Sequence, residues 1–151
     1  MKYKIIVLGI LICASIVFIS MRFYSVGETI VTKDQLPEKA SAFIQRHYAH
    51  HNLNYIIREQ KFFSKKYEVK FTNGMEINFD SQGNWTEIDA KYATIDYSVF
   101  SQKIGFYLAS HFPGTQILKA ERKNFGRQEI KISNGLELLF SSQGEFKSLE
   151  D

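Results

Sequence analysis

The sequence predicts an α+β protein made of two tandem copies of one unit, each a helix packed on a four-stranded antiparallel sheet. The first observation is an internal repeat: residues 72–85 recur as residues 133–146, with Asn-Gly, Gln-Gly and an aromatic residue in the same places. The second is a helical spacing of apolar residues ahead of each copy. The third is an alternation of apolar and polar residues around each Asn-Gly, which is typical of paired strands with one buried face.

The first 25 residues are predicted to be a signal peptide or an N-terminal membrane anchor. Lys2 and Lys4 precede an apolar run at residues 5–19, as in an export signal. The run is shorter than the roughly 20 residues of a membrane-spanning helix, which favours a signal peptide. Phe18 and Phe23 stand where a cleavage site prefers small residues, so an uncleaved membrane anchor remains the alternative to a signal peptide. Either form predicts a periplasmic or cell-envelope protein. It lacks disulfides, because the single cysteine, Cys13, lies in this segment.

The distribution of charge excludes nucleic acid as a partner. The chain has 19 basic and 16 acidic residues, but all the acidic residues lie at or beyond Glu28, whereas Lys2, Lys4 and Arg22 precede it. The remainder is therefore formally neutral and has no basic footprint for a phosphate backbone. Contact with a membrane is expected only through the N-terminal segment, if that segment is not cleaved.

The exported part divides into a linker at residues 26–35, a first repeat at 36–92 and a second at 93–151. The first helix is expected to open at Leu36-Pro37, because proline suits the first turn of a helix. Its apolar face has the same spacing as that of the second helix, which ends at Pro113-Gly114. The two faces are Leu36, Ala40, Phe43, Ile44 and His47, and Phe100, Ile104, Tyr107, Leu108 and His111.

Two hairpins are predicted at Asn73-Gly74 and Asn134-Gly135, each with a two-residue type I′ turn. A further turn follows each one, at residues 81–83 and 142–144. In the strands between them, apolar residues alternate with Glu and Lys, so one face packs on the helix and the other meets water or a partner. One continuous sheet of up to eight strands and two separate sheets of four both fit this pattern.

These residues resemble a known family. Two units of the form Leu-Pro, helix, Tyr-Glu-Val-Lys-Phe, Asn-Gly, Glu-Ile-x-Phe-Asp and Gly-x-Trp are similar to the PepSY-like, beta-lactamase-inhibitor-protein-like exported proteins of Bacteroidetes. The resemblance covers about residues 34 to 151. It implies a helix on a four-stranded antiparallel sheet in each repeat, and a periplasmic or cell-surface location. It carries over no lactamase-binding residue, and the second copy departs from the pattern with Phe100-Ser101 in place of Leu-Pro.

The open face of the sheet is the candidate protein-binding surface. If the last strand of each copy is regular, Trp85 and Phe146 lie on this face together with Leu139, as aromatic and apolar anchors of the kind found in binding hot spots. Charged residues of the central strands would surround them: Glu76, Glu137, Lys70 and Lys131. The alternative is a bulge near Gly83 or Gly144 that turns both rings into the core.

Two other groups of residues have a functional and a structural interpretation. Phe62-Phe63, beside Lys65-Lys66, either exposes one ring in an extended turn or buries both in a loop folded over the core. His47, His50 and His51 have a spacing that could place two imidazoles on one helix face for a metal. No cysteine or HExxH-type carboxylate accompanies them, so they are weak metal candidates beside ordinary residues of a helix C-terminus.

The sequence therefore predicts a non-catalytic exported module that binds an unidentified exported or envelope protein through the open sheet face. Inhibition or sequestration of that protein is one outcome. Motifs for a serine nucleophile, a phosphate loop or a dinucleotide site are absent from the sequence, so no enzyme and no cofactor is predicted. The alternative function is a periplasmic sensor that binds a small ligand between the repeats or a metal at the histidines.

Overall fold

A computed structural model describes residues 27–150 of the chain. The signal peptide or anchor predicted for residues 1–25, and Cys13 within it, lie outside the described residues. Among the described helices, none has the length and apolar character needed to cross a membrane.

The described chain forms one nine-stranded antiparallel sheet in which the strands follow each other in sequence order. This is a meander, with each strand paired to the one before and the one after it. The strands are β1 Gly27–Val31, β2 Leu53–Gln60, β3 Lys65–Phe71, β4 Glu76–Phe79, β5 Trp85–Asp89, β6 Ile117–Arg122, β7 Gln128–Ile132, β8 Glu137–Phe140 and β9 Phe146–Glu150. The α+β class is confirmed, and of the two sheet arrangements the continuous one is found, since β5 pairs directly with β6. The duplication itself stays a prediction.

Two helices pack on one face of this sheet. Helix α1, Glu38–His47, precedes β2–β5, and helix α2, Gln102–His111, precedes β6–β9. Pro37 occupies the N-cap of α1, where its missing N–H costs nothing. At α2 the Ser101 hydroxyl accepts a hydrogen bond from the Ile104 N–H at 3.5 Å. Short 3-10 turns at Lys33–Gln35, Tyr97–Val99 and Asn124–Gly126 complete the connections.

The core lies between the helices and the sheet, as the alternation predicts. Ala40 and Ile44 of α1 and Ile104 and Leu108 of α2 are buried in one cluster with the inward residues of the strands. The largest fully buried side chains in it include Phe79, Phe140, Ile77, Ile88 and Ile130. Two predicted repeats thus share a single apolar layer, which favours folding as one unit.

Strand β1 differs from the sequence prediction, which placed its residues in a linker. Gly27–Val31 pairs with β2 in a register that runs from Gly27 opposite Gln60 to Val31 opposite Ile56. Only Val31 is buried, because β1 is an edge strand that the helices do not cover. A strand with a single buried residue needs no alternation of apolar and polar residues, so the sequence contains no signal for β1.

The Asn-Gly turns also differ from the type I′ prediction. Gly74 and Gly135 have φ of 87° and 91°, whereas Asn73 and Asn134 are not among the residues with positive φ. Each loop has three residues: at the first, the Gly74 N–H donates to the Phe71 carbonyl and the Phe71 N–H to the Met75 carbonyl. A three-residue loop of this kind requires positive φ at one position only. Glycine occupies that position because it adopts positive φ without strain.

Candidate binding site

The sheet face opposite the helices is built from the outward residues of all nine strands, and both described helices lie on the other side. Carboxylates outnumber ammonium groups on it. Its acidic residues are Glu28, Glu59, Glu68, Glu76, Glu87, Asp89, Glu121, Glu129, Glu137 and Glu150, and the lysines of its strands are Lys66, Lys70, Lys119 and Lys131. Lys61, Lys91 and Lys123, next to the strands, also pair with carboxylates of this face. We call this surface the open face.

Ion pairs link neighbouring strands across the open face. Lys70 Nζ lies 3.0 Å from Glu76 Oε1 and 3.1 Å from Glu68 Oε1. The hydrogen bonds from these two carboxylates, that of Glu76 foremost, raise the pKa of Lys70, so it stays charged at any physiological pH. Lys131 and Glu137 make the matching pair at 2.7 Å in the second half of the sheet. The four charged residues predicted for this face therefore lie on it and are paired with each other.

A concave region of the open face, which we call the acidic cavity, extends across β1 to β6. This cavity of about 420 Å³ is lined by carboxylates from five strands and by two cations, together with Ile57, Asn78 and Thr86. The carboxylates are Glu28, Glu59, Glu68, Glu87 and Glu121, and the cations are Lys66 and Arg122. Four of these carboxylates are in partly exposed ion pairs with lysines, and the fifth, Glu28, is in none within the described residues. The pairs are Glu59 with Lys61, Glu68 with Lys70, Glu87 with Lys119 and Glu121 with Lys123.

The prediction that Trp85 and Phe146 lie on the open face is wrong. Trp85 is only 4% exposed and meets Phe100 edge to face, with ring centroids 6.3 Å apart. Phe146 is half-buried and stacks on Tyr107 of α2 at 4.8 Å. Both rings therefore belong to the helix side of the sheet and serve the core.

A bulge in each half causes this inversion. The register shifts between Asn78 and Phe79 in the β4–β5 pair, and between Leu139 and Phe140 in the β8–β9 pair. One extra residue in β5 and in β9 reverses the side on which the aromatic residue lies. This is the alternative that the glycines at 83 and 144 left open. Leu139 does lie on the open face, beside a shallow cavity that is otherwise polar or charged.

A second concavity, which we call the basic groove, lies on the helix side of the sheet. It has a volume of about 590 Å³ and is lined by Lys39, Phe43, Arg46 and His47 of α1, Gly83, Asn84 and Trp85 at the β4–β5 turn, Ser98, Val99 and Arg122. The Arg122 guanidinium lies 4.3 Å from the Trp85 ring centroid, within cation–π distance. Partial burial lowers the pKa of Arg122, and the charge of Asp80 opposes this shift.

The turn at Asp80 holds the floor of the basic groove in place. Asp80 accepts hydrogen bonds from the N–H groups of Gln82 and Asn84, both at 2.9 Å, and from the Asn84 side chain at 2.8 Å. Burial acts to raise the pKa of Asp80, but these hydrogen bonds outweigh it and the pKa is lowered. Asn84 in turn accepts a hydrogen bond from the Lys39 ammonium.

The three candidate histidines do not converge on one point. His47 Nδ1 lies 3.3 Å from the Ser98 hydroxyl, whereas His51 Nδ1 lies 3.2 Å from the Asn73 amide. His50 is exposed. Within residues 27–150 no group of three or more His, Cys, Asp or Glu side chains is placed to hold a metal ion. Burial, followed by the charge of Arg46, lowers the pKa of His47, so it is neutral at pH 7.

Sequence reasoning missed the basic groove. Lys39 and Arg46 stand on the polar side of a helical pattern and Arg122 at the end of a strand, positions that usually mean solvated charge. Their convergence depends on β5 pairing with β6, which brings Arg122 against Trp85. The predicted alternative of a ligand site between the repeats pointed to this region without identifying its residues, and the continuous-sheet arrangement is what brings them together.

This geometry defines a two-layer α+β module with one sheet face covered by helices and the other free for contact. A family model described as beta-lactamase-inhibitor-like, PepSY-like matches residues 65–148, more than half of the chain. The chain belongs to this PepSY-like family. Among curated proteins, none matches it.

Solved structures of Bacteroides proteins are similar over most of the chain. One from Bacteroides vulgatus, described as a periplasmic protein of the DUF2874 family, is 33% identical with a TM-score of 0.75 and covers 82% of this chain and 97% of its own. One from Bacteroides thetaiotaomicron, described as calcium-regulated and periplasmic, is 31% identical with a TM-score of 0.76 and the same coverage. A third, described as a periplasmic protein of unknown function, is 31% identical with a TM-score of 0.73 and covers 83% and 100%. These relatives support a periplasmic location.

Proposed function

We propose that this chain is a non-catalytic periplasmic binding module whose open face binds a basic surface of another exported protein. The observation that carries the proposal is the acidic cavity of that face, where carboxylates of five strands converge and four of them are in partly exposed ion pairs that the cations of a basic partner can exchange. Sequestration or inhibition of the bound protein is the expected consequence, in keeping with the family's description as beta-lactamase-inhibitor-like.

Electrostatic complementarity replaces the aromatic anchors that the sequence suggested. With Trp85 and Phe146 in the helix layer, the open face presents ion pairs and carboxylates held on a rigid sheet. Fixed charges on a rigid surface steer a complementary partner and fix its register more than they add affinity. Binding should therefore be fast and should weaken as salt is raised.

The proposal that the module is non-catalytic rests on the description of its family and on the side chains of the described residues. The family description names an inhibitor-like protein rather than an enzyme. One relative is described as calcium-regulated. Because the carboxylates of the described residues form no group suited to a metal ion, we do not extend calcium regulation to this chain.

Affinity capture from a periplasmic extract tests the proposal. The native protein is compared with the double variant Glu87→Gln, Glu121→Gln, which removes two carboxylates that face each other across the β5–β6 pair. The control, Asp34→Asn with Glu38→Gln, makes the same change in net charge on the helix side. A protein retained by the native chain and the control but lost by the open-face variant supports the proposal. Equal retention by all three contradicts it.

A second candidate function is the binding of a small anion with a flat apolar body in the basic groove. Three cations, Lys39, Arg46 and Arg122, line it without a carboxylate, over a floor that includes Trp85 and Phe43. None of these three is in an ion pair within the described residues, although the charge of Asp80 acts on Lys39 and Arg122. A cation without an ion pair beside an aromatic surface is suited to a carboxylate or phosphate on an aromatic ring.

Trp85 is the only tryptophan of the chain, so its fluorescence reports on the basic groove directly. Titration with benzoate and with inorganic phosphate should give a saturable change with benzoate in the native protein. The change should be lost in Arg122→Gln and kept in Arg127→Gln, an exposed arginine of the β6–β7 hairpin. No saturable change with either anion would rule out this second function and leave the first untouched.

A further inference from the structure

The last strand of the sheet, β9, is built like β5 but pairs on one side only within residues 27–150. Each of the two strands begins with an aromatic residue, Trp85 or Phe146, that lies opposite a buried phenylalanine of the preceding strand. A bulge follows in each pair, and an aliphatic residue then faces the helix layer. That residue is Ile88 in β5 and Leu149 in β9. The two strands therefore present the same kind of edge to a further strand.

The two aliphatic residues differ in what covers them. Ile88 is fully buried, because β6 pairs with β5 and places Ala120 opposite it. Leu149 is 50% exposed, because no described strand takes the place of β6 beside β9. Phe146 is likewise only half-buried, whereas Trp85 is 4% exposed. The edge of β9 thus leaves apolar surface on the helix side that a further strand would bury, as β6 buries that of β5.

The direction of the strands favours a second copy of this chain as the neighbour of β9. In an antiparallel sheet of nine strands in sequence order, the two edge strands, β1 and β9, run in the same direction. With the helices of both copies on one side of a joined sheet, β9 beside β1 of another copy would therefore be parallel. A two-fold axis normal to the sheet places β9 beside β9 instead, and the joined sheet stays antiparallel throughout. Such a contact closes as a dimer and does not propagate into a filament.

The side chains of β9 suit this pairing with a second copy. Directly opposed residues of antiparallel strands lie on the same face, so an axis centred on Leu149 brings the two leucines together on the helix side. Ser148 then lies opposite Glu150 of the second copy, and both lie on the open face. Lys147 of each copy comes near Glu150 of the other, so the charges of the strand are complementary to themselves.

The other edge strand, β1, is less suited to such a contact. Because Val31 is its buried residue, the alternation of the strand places Gly27 and Thr29 on the helix side. Ile30, its exposed aliphatic residue, pairs with Ile57 on the open face. Self-pairing of β1 would therefore join a glycine and a threonine on the helix side, where β9 joins leucines.

We propose that two copies of this chain pair through β9 in antiparallel register, so that their sheets join into one and the Leu149 side chains meet on the helix side. The open faces of both copies then lie on the same side of the joined sheet. The dimer presents two acidic cavities to a partner. The pairing itself rests on the edge of β9 and not on the function proposed for the open face.

Cross-linking of a single thiol in the periplasm of intact cells tests this pairing. The full chain with Cys13→Ser receives one cysteine, at Ser148→Cys in β9 or at Thr29→Cys in β1. With the axis at Leu149, the two thiols at position 148 are diagonal neighbours on adjacent strands, about 7–8 Å apart and within reach of a short bismaleimide. The cross-linked dimer should form several-fold more from position 148 than from position 29.

Two matched substitutions separate pairing through β9 from other encounters. Leu149→Lys, at a residue that is 50% exposed, places like charges opposite each other at the axis. It should reduce the cross-linked fraction from position 148 to the level from position 29. Ile30→Lys makes the same change on β1, where Ile30 is 74% exposed, and should leave that fraction unchanged. Circular dichroism of the purified variants checks that the fold is kept.

Three results would overturn the proposal. The first is equal cross-linking from positions 148 and 29, or none from either. The second is cross-linking from position 148 that Leu149→Lys does not lower in a folded variant. The third is a cross-linked product with a different protein in place of the dimer, because another strand would then occupy the edge of β9.

Discussion

The guanidinium of Arg122 lies 4.3 Å from the ring centroid of Trp85, and this contact joins the two halves of the sheet on the helix side. Trp85 begins β5 and Arg122 ends β6, so the pair exists only because these strands are neighbours. The bulge in the β4–β5 pair puts the Trp85 ring on the helix side, where it forms part of the floor of the basic groove. The aromatic residue that the sequence marked as a binding anchor is thus part of the core.

Trp85→Ala should destabilise the protein strongly. Trp85 is 4% exposed and packs on Phe100, and large-to-small changes at such sites cost about 3–5 kcal/mol. Urea denaturation followed by circular dichroism measures the loss in free energy of unfolding. Leu139→Ala on the open face is the control and should cost much less. A loss below about 1 kcal/mol for Trp85→Ala would contradict the buried placement.

Tyr48→Phe should leave stability unchanged or increase it. The Tyr48 hydroxyl is buried without a hydrogen-bond partner among the described residues, and the ring packs on Phe43 and Phe71. An unsatisfied buried hydroxyl costs about 1–3 kcal/mol, so its removal gains free energy while the ring contacts stay. A clear loss of stability in Tyr48→Phe would show that the hydroxyl has a partner.

The same residue makes stability fall at high pH. Burial, and after it the charge of Asp96, raises the pKa of Tyr48 above its ordinary 10.0. Below pH 10 both the folded and the unfolded chain keep the phenol proton, and the contribution is constant. Above pH 10 the unfolded chain releases it first, so the free energy of unfolding drops by at most about 1.4 kcal/mol per pH unit. The advantage in free energy of unfolding of Tyr48→Phe over the native protein should therefore widen above pH 10 in urea denaturation measured at a series of pH values from 9 upward.

Gly83→Ala should be more damaging than Gly135→Ala, although both glycines have positive φ, 81° and 91°. A Cβ at position 83 would lie 2.7 Å from the Ala40 backbone nitrogen and 2.9 Å from the Pro37 Cβ, whereas at 135 it meets nothing within 4 Å. Left-handed strain of about 1–2 kcal/mol is common to both, and only Gly83 adds a clash with α1. Equal losses in thermal unfolding would mean that the turn and the helix are not in contact.

Lys70→Gln should hardly change stability. Its ion pairs with Glu68 and Glu76 are partly exposed, with 25% of the Lys70 side chain accessible, and such pairs are worth up to about 1 kcal/mol. Denaturant midpoints of the native and variant proteins give the comparison. A loss of several kcal/mol would show that the open face is a structural element rather than a surface available for binding.

The elements that the sequence predicted well are those with a strong local signal. Both helices, the central strands and the outward placement of Lys70 and Glu76 follow from periodicity, because one face of each element is buried. Strand β1 was missed since only Val31 packs inward. Trp85 and Phe146 were misplaced because one extra residue in a strand inverts its faces, and the sequence shows the glycine but not the bulge. The basic groove depends on a long-range strand pairing that no local pattern reveals.

Protection of a single thiol from chemical labelling tests whether the open face is the surface that binds the partner. In a chain with Cys13→Ser, Asn78→Cys places a thiol in the acidic cavity and Gln45→Cys places one on the exposed side of α1. The rate of maleimide labelling is measured for each with and without the protein captured from the periplasm. If the partner binds the open face, the captured protein should slow labelling at position 78 and not at 45. Slowing at 45 with no effect at 78 would show that the helix side, not the open face, binds the partner.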